Sequence, residues 1–421
     1  MATQAPDLAD RLMRRVLFVT YGGGHVAMLL PVLQQINRRD DLCCFTLALT
    51  TAAAVLERQG MPWRGFTSLV RKGDEQALDW GRRLAEDLPA GGLVSAEESI
   101  AYLGLSYTDL EDRFGKEEAL RLFTEQGRQA FLPLGPMRRL FDEIEPDLVV
   151  ATISPRAEQA ALMIARERGI PSICLVDLFD DPSLERASKS GYGSRVCVLT
   201  DGVRHRLLAA GRAPEEVVTT GNPAFDILGC GELADRAHQM RASRGWDREQ
   251  VILWASQVEP RRHPFSGALG DPNLPSTVEN HLLKLIGDHP DWRLVIRPHP
   301  SEAKREPMGI DRVEISGQDD ELAVLLNAVD VVVTLTSTVG VEARILGKPL
   351  VTIDLSVFSK DSQFEATGFS RGVRDLSQLG SVLEQSLRQA GSVGESFTPP
   401  GNATQAVLAQ IDELLASGAN R

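Results

Sequence analysis

The sequence predicts an α/β protein of two Rossmann-like domains, each a parallel sheet covered by helices, with a cleft between them. Three observations carry this. Short apolar runs alternate with amphipathic helical segments in two successive series along the 421 residues, as strands buried on both faces of a parallel sheet require. The turn-rich stretch Thr220-Gly221-Asn222-Pro223-Ala224-Phe225 separates the two series. The chemically distinctive residues follow strands, and in open α/β sheets ligands bind outside the carboxyl ends of strands.

In the first series, residues 16–20 read as a strand, 21–25 as a glycine turn and 26–37 as a helix. Met28, Leu29, Val32, Leu33 and Ile36 fall at helical spacing. Residues 42–49 are the next strand, and 52–58 a helix ended by Gly60 and Pro62. Residues 70–140 are charged, helical in pattern and broken by Gly91, Gly92 and Pro133. They read as a helical insertion, either a lid or acceptor-side surface or plain solvated helices. The strand 147–153 and the helix 158–168, ended by Gly169 and Pro171, resume the alternation, and 172–176 and 195–200 are further strands.

The second series starts near residue 250. Strands are expected at 251–255, 292–297, 331–335 and 350–353, and helices at 281–288, 321–328 and 339–346, the last closed by Gly347 and Pro349. An amphipathic helix at 403–415 follows the breakers Pro399, Pro400 and Gly401. The expected division is a first domain over 14–222, with the insertion 70–140, a second over 223–400, and a terminal helix within 401–421.

Composition removes several classes. At 43% hydrophobic and 24% charged the chain is an ordinary globular protein. Its 45 Lys and Arg against 58 Asp and Glu leave a net charge of −13, which disfavours nucleic acid as a partner. The same balance disfavours attachment to anionic lipid by net charge; a local basic patch, and so peripheral membrane contact, stays open. The five cysteines are odd in number and lack CxxC spacing, so neither a zinc site nor a disulfide framework is signalled. Cys43, Cys44, Cys174 and Cys197 lie in apolar runs and read as small hydrophobes in a reducing compartment. Residues 1–10 carry no signal-peptide pattern, and no run of about 18 apolar residues suggests a transmembrane helix. The expectation is a cytoplasmic protein with no metal and no cofactor, since no HExxH, P-loop, GxSxG or EF-hand pattern occurs.

The candidate site residues follow strands. Gly22, Gly23 and Gly24 form a turn that lets a ligand approach the backbone, or a tight turn with nothing bound. As a dinucleotide fingerprint it lacks the acidic residue expected after the second strand, which ends in Thr50 and Thr51. His25 opens the following helix, where a neutral imidazole can take a proton from an acceptor hydroxyl, or merely caps the turn. Arg297-Pro298-His299-Pro300 ends a strand, and its prolines fix the backbone. Arg297 and His299 offer donors to phosphate oxygens, or form a solvent-facing turn. Ser337 and Thr338 stand at a helix N-terminus, where hydroxyls both cap and bind phosphate. Glu342, four residues beyond Thr338, is out of step with a capping box and can accept from ribose hydroxyls, or is favoured by the helix dipole. Ser256 and Gln257, followed by Arg261, Arg262 and His263, can receive a diphosphate or form a surface loop. Asp177, Asp180 and Asp181 follow a strand as acceptor ligands, base or surface acids, and Asp354 is a candidate sugar contact.

With these residues in view, the chain resembles the GT-B superfamily of nucleotide-sugar glycosyltransferases and the related non-hydrolysing UDP-GlcNAc 2-epimerases, from Arg15 to about Asp354. The loop Gly22-Gly23-Gly24-His25 resembles that of the lipid II GlcNAc transferase. Thr220-Gly221-Asn222-Pro223 resembles the interdomain segment of the epimerases and of lipid A disaccharide synthase. Ser337 to Ala343 with Leu346-Gly347-Lys348-Pro349 resembles their nucleotide-binding helix, whose glutamate holds the ribose. Arg297-Pro298-His299-Pro300 resembles the His-Pro motif of bacterial sialyltransferases and polyol-phosphate transferases, whose histidine meets a cytidine nucleotide's phosphate.

The resemblance implies a GT-B fold, with two parallel sheets facing across a cleft, and metal-independent transfer of a sugar. The first domain would bind a glycan, lipid-linked or protein acceptor, and the second the UDP- or CMP/CDP-linked donor, a substrate rather than a cofactor. The terminal helix would cross back to the first domain. His25 and Asp177 are then the catalytic candidates. Arg297, His299, Ser337, Thr338, Glu342, Ser256 and Gln257 are donor-binding candidates, and Asp354 the sugar contact. The epimerases carry Gly-Thr-Arg-Pro-Glu and Asp-Ser-Gly-Gly where this chain has its glycine-histidine loop and Thr336-Ser337-Thr338-Val339. An epimerase-like isomerase and a non-catalytic nucleotide-sugar-binding protein are the alternative readings.

Overall fold

The computed structural model describes residues 13–86, 88, 94–176, 181–263, 266–299, 302, 305–317, 320–362, 364–365, 368–388 and 401–418. The first half begins β1 (Arg14–Thr20), α1 (Gly24–Ile36), β2 (Leu42–Ala48) and α2 (Ala52–Arg58). Four helices follow: α3 (Glu75–Ala85), α4 (Ala96–Phe114), α5 (Lys116–Gln126) and α6 (Leu134–Ile144). Alternation resumes with β3 (Leu148–Thr152), α7 (Ala157–Glu167), β4 (Ser172–Leu175), α8 (Asp181–Ser188), β5 (Arg195–Val198), α9 (Asp201–Ala209) and β6 (Val217–Thr219).

The second half runs α10 (Glu232–Arg244), β7 (Gln250–Ala255), α11 (Leu274–Asp288), β8 (Trp292–Arg297), β9 (Val313–Ile315), α12 (Leu322–Ala328) and β10 (Val331–Thr334). It closes with α13 (Val339–Ile345), β11 (Leu350–Ile353), α14 (Ser359–Ser362), β12 (Arg371–Val373), α15 (Leu379–Arg388) and α16 (Ala403–Gly418).

The strands form two six-stranded parallel sheets, ordered β2-β1-β3-β4-β5-β6 and β12-β11-β10-β7-β8-β9. Side chains alternate across a strand, and β1 shows it. Leu17 and Val19 enter one core with Phe141, Val149 and Ala161, whereas Val16 and Phe18 enter another with Val26, Leu29 and Leu33. Both faces are sealed, which explains the continuous apolar runs. The insertion has a small core of its own around Leu103, Tyr107, Leu110 and Phe131. There α3 and α4 pack backbone to backbone: a Cβ on Gly104 would lie 2.0 Å from the Ala77 carbonyl oxygen.

Both sheets have a point at which chain order reverses, between β1 and β3 and between β7 and β10. Such switch points open a crevice at the strands' carboxyl ends. The two edges face each other: α8, which follows β4, touches α14, which follows β11, and the 3-10 helix Pro223–Gly229 touches both α1 and α13. Helix α16 packs on the first domain, where Val407, Leu408, Ile411 and Leu415 join the core of Val16 and Phe18. Arg195 pairs with Glu413 at 2.9 Å and Arg39 with Asp412 at 2.6 Å. The Asp226 carboxylate caps this helix, accepting from the Gly401, Ala403 and Thr404 amides at 3.1, 2.9 and 2.7 Å. Among the described residues no helix is long and apolar enough to cross a membrane.

Candidate functional site

The first switch point holds the glycine loop. Gly22 is required there, since a Cβ would lie 1.8 Å from Thr51 Oγ1, and its amide donates to Thr50 Oγ1 at 3.0 Å. Gly23 has φ +65°, a left-handed conformation that glycine adopts without strain. The loop delivers His25 to the second residue of α1, half-buried. Its Nδ1 lies 2.6 Å from Thr152 Oγ1 at the end of β3. The Thr152 hydroxyl donates to Glu158 Oε1, which also accepts from the Tyr21 amide at 3.3 Å. Thr152 and Glu158 are fully buried. Burial pushes the Glu158 carboxyl above its ordinary range, against the pull of His25.

This chain of bonds sets the tautomer. With Glu158 ionised, the Thr152 proton points to the carboxylate, and its lone pair accepts His25 Nδ1–H. The free lone pair of the imidazole then lies on Nε2. The second group in the relay is a threonine, so the imidazole is oriented through a neutral hydroxyl and meets the carboxylate only indirectly.

Around this relay stand Tyr21 and Arg156. The Arg156 guanidinium lies over the Tyr21 ring, 4.9 Å from its centroid. Its backbone has φ +74°, in the N-cap position of α7, a conformation costing a non-glycine residue about 1–3 kcal/mol. The Tyr21 hydroxyl lies 3.2 Å from that of Tyr102, on α4 of the insertion. Burial pushes the Tyr21 phenol above its ordinary range. The insertion thus reaches the switch point through Tyr102, whose ring also meets Phe66 edge-on at 5.0 Å.

At the second switch point, Gln257 and Thr336 bind each other twice: the Gln257 amide donates to Thr336 Oγ1 at 3.1 Å and its carbonyl accepts from the Thr336 amide at 3.0 Å. Gln257 therefore ties the end of β7 to the end of β10. Ser337 Oγ accepts from the Val339 amide at 3.3 Å, which leaves its own proton to donate. Thr338 is the N-cap residue of α13, without a side-chain cap bond. Arg297 donates from Nη1 to Ser316 Oγ at 3.0 Å and to the Asp320 carbonyl at 3.1 Å. Burial lowers its pKa, against the pull of Asp320 and Glu342. Glu342 is pushed up to about 7 by burial, with Arg297 acting in the opposite direction. The two form a half-buried, electrostatically coupled pair.

Other candidates lie further from this pair. Ser256 Oγ donates to Glu302 Oε1 at 2.7 Å, toward β8. His299 is exposed, and its carbonyl accepts from the Glu302 amide at 2.8 Å. Asp354 sits at the β11–β12 edge with Glu365, and burial pushes it up to about 6. His263 is a staple: Nδ1 accepts from the Ser266 amide at 3.0 Å, so Nε2 donates to Asp361 Oδ2 at 2.7 Å. With Glu259, which accepts from Ser356 Oγ and the Val357 amide at 2.8 Å each, it fastens the loop after β7 to the segment after β11. Asp177, Asp180 and the Asp181 side chain lie outside the described residues. Thr152, Glu158, Arg156, Tyr21 and Tyr102 are additions that the sequence reading did not name. Among the described residues no cluster of three or more His, Cys, Asp and Glu is arranged to hold a metal.

Residues 271–361 match the family of capsule polysaccharide biosynthesis proteins, a span that includes Arg297, His299, Ser337, Glu342 and Asp354. No curated protein matches the chain in sequence. In structure the chain is similar to the UDP-GlcNAc 2-epimerase of Neisseria meningitidis bound to UDP-GlcNAc, at 15% identity over 95% of this chain and 100% of that one, with a TM-score of 0.55. It is similar to the UDP-GlcNAc 2-epimerase of Methanocaldococcus jannaschii at 13% identity, over 94% and 99% of the two chains, TM-score 0.57. It is also similar to the glycotransferase of kitacinnamycin at 15% identity, over 96% of each chain, TM-score 0.51. The two sheets and their order thus belong to the GT-B-type fold.

Proposed function

We propose that this chain, GT-B in fold and matched over residues 271–361 by the capsule polysaccharide biosynthesis family, is a cytoplasmic glycosyltransferase of glycan biosynthesis. It moves a sugar from a nucleotide-activated donor to a hydroxyl of a glycan, lipid-linked or protein acceptor. The observation that carries the reading is the His25–Thr152–Glu158 relay at the first sheet's switch point. It leaves Nε2 of His25 free to take a proton.

In this reading His25 Nε2 removes the acceptor hydroxyl's proton as the oxygen attacks the anomeric carbon. The bond from that carbon to the donor phosphate breaks, and the nucleotide leaves with the electron pair. Arg297 and Ser337 receive the phosphate charge, which supplies the stabilisation without calling on a cation. Glu342 accepts from the ribose hydroxyls, and Gln257 holds the two strand ends at a fixed spacing.

The second reading, a 2-epimerase-like isomerase, is favoured by the similarity to epimerase structures. One experiment separates the two. The chain is screened for thermal stabilisation by UDP, CMP, CDP, GDP and NAD at millimolar concentration, where a ligand at about 100 times its Kd adds roughly 2.7 kcal/mol. Donors of the stabilising nucleotide are then incubated with and without acceptor mixtures. Nucleotide release that depends on acceptor supports transfer. An epimerised sugar nucleotide formed without acceptor supports the isomerase. Nucleotide binding with neither product supports the non-catalytic reading.

A further inference from the structure

Arg156 stands beside the relay with no anionic partner among the described residues. Among the described residues no carboxylate lies within ion-pair distance of its guanidinium, and its buried Nε has no hydrogen-bond partner. The Tyr21 ring is its described contact, and Tyr21 in turn touches Glu158 through its amide. The Glu158 carboxylate makes no ion pair with it: Oε1 is engaged by Thr152 and Tyr21, and the buried Oε2 has no hydrogen-bond partner. An arginine held half-buried against an aromatic ring, in a conformation its own backbone disfavours, is a cation kept in place for something else.

A second observation points the same way. Tyr192 is 2% exposed, yet its hydroxyl has no hydrogen-bond partner. The titratable groups that act on it are Arg186, Cys174 and Glu158. Arg186 donates to Ser183 Oγ at 3.1 Å, and its Nε also lacks a partner. Arg186, whose charge acts on the buried Tyr192 hydroxyl, therefore also keeps donor capacity unspent.

Resting on the transferase reading, we infer that Arg156 binds an anionic group on the acceptor, a carboxylate or a phosphate ester. The acceptor class is then an acidic sugar or a phosphorylated one, anchored by its charge while a neighbouring hydroxyl reaches His25 Nε2. Planar guanidinium donors suit both anions.

The test uses the full chain and three probes that share one ring: glucose, glucuronate and glucose 6-phosphate, titrated calorimetrically at matched ionic strength. At least one anionic probe is expected to bind tenfold or more tightly than glucose, and which one does so names the anion. Arg156→Gln is expected to lose that advantage, Arg156→Lys to keep part of it, and nucleotide binding to stay unchanged in both. If Arg156→Gln fails to fold, Arg156→Gly, whose backbone accepts φ +74°, carries the test. Equal binding of glucose and both anions overturns the inference. So does anion binding untouched at Arg156 and lost instead in Arg297→Gln, which would put the anion in the donor half. Failure of every nucleotide to bind the wild-type chain counts against the transferase reading, and leaves the anion result to be judged by itself.

Discussion

Replacing Thr152 with valine isolates the relay. The two side chains have nearly the same shape, and Thr152 is fully buried, so packing is conserved while the hydroxyl is lost. Two bonds disappear: the contact with His25 Nδ1 at 2.6 Å and the bond to Glu158. Glu158 keeps the longer bond from the Tyr21 amide at 3.3 Å. A net hydrogen bond of about 1–1.5 kcal/mol held the imidazole with its proton on Nδ1. Without it that advantage vanishes, and the competing tautomer places the proton on the atom that must act as base. A bias of about 1.4 kcal/mol corresponds to a factor of about ten. Thr152→Val is therefore expected to lower kcat about two- to tenfold, depending on the intrinsic tautomer balance, with donor KM unchanged, while Thr152→Ser retains most of the rate. His25→Ala is expected to lose about 10²–10⁴-fold. The assay is initial-rate release of nucleotide at saturating donor, beside a nucleotide titration of each variant. A Thr152→Val enzyme with wild-type kcat, alongside an inactive His25→Ala, would refute the orienting role of the chain. Full activity of His25→Ala would refute the base itself.

Two further outcomes follow from the second domain and the cap of α16. Burial pushes the Glu342 carboxyl up to about 7, and a carboxylate accepts ribose hydroxyls better than its protonated form does. Nucleotide affinity should therefore rise about tenfold between pH 6 and pH 8, as the ionised fraction grows from about a tenth to about nine-tenths. Calorimetry on wild type and Glu342→Gln checks this, with a flat profile expected for the variant; a flat wild-type profile argues against the ribose contact. Asp226→Ala removes the acceptor for three amides at the start of α16. It should cost about 1–2 kcal/mol in urea unfolding, and an unchanged midpoint would mean that the cap contributes nothing.

The parts of the fold legible in the sequence were those with strong local signals. An apolar run, a glycine turn and a helical stripe at Val16 to Ile36 specify β1 and α1 without outside help. The same holds for β10 and α13. Helix α11 begins at Leu274 rather than 281, because Pro275 fits a first turn and the polar residues after it face solvent. Strands β9 and β12 have three residues each, too few to show a period, and exist because a neighbouring strand pairs with them.

The site divides in the same way. His25 was marked by its position after a strand and glycines. Its partners were not, because Thr152 is 127 residues away and meets His25 only because β3 lies beside β1 in the sheet. Glu158 looks like any acid in a helix's first turn until the sheet order buries it. Arg156 gives no sign of its left-handed backbone, since the residue found there is not glycine.

Helix α16 has a consequence for how the chain comes to be made. Its apolar face completes the core beneath β1, yet it follows every strand of the second sheet in sequence. During synthesis the second domain emerges whole while the first still has an uncovered apolar groove over Val26, Leu29 and Leu33. The nascent chain carries that exposed surface through more than 180 residues of translation, from β6 to α16. The first domain, begun earliest on the ribosome, is the last to close, and its unfinished interval is when a chaperone has most to shield.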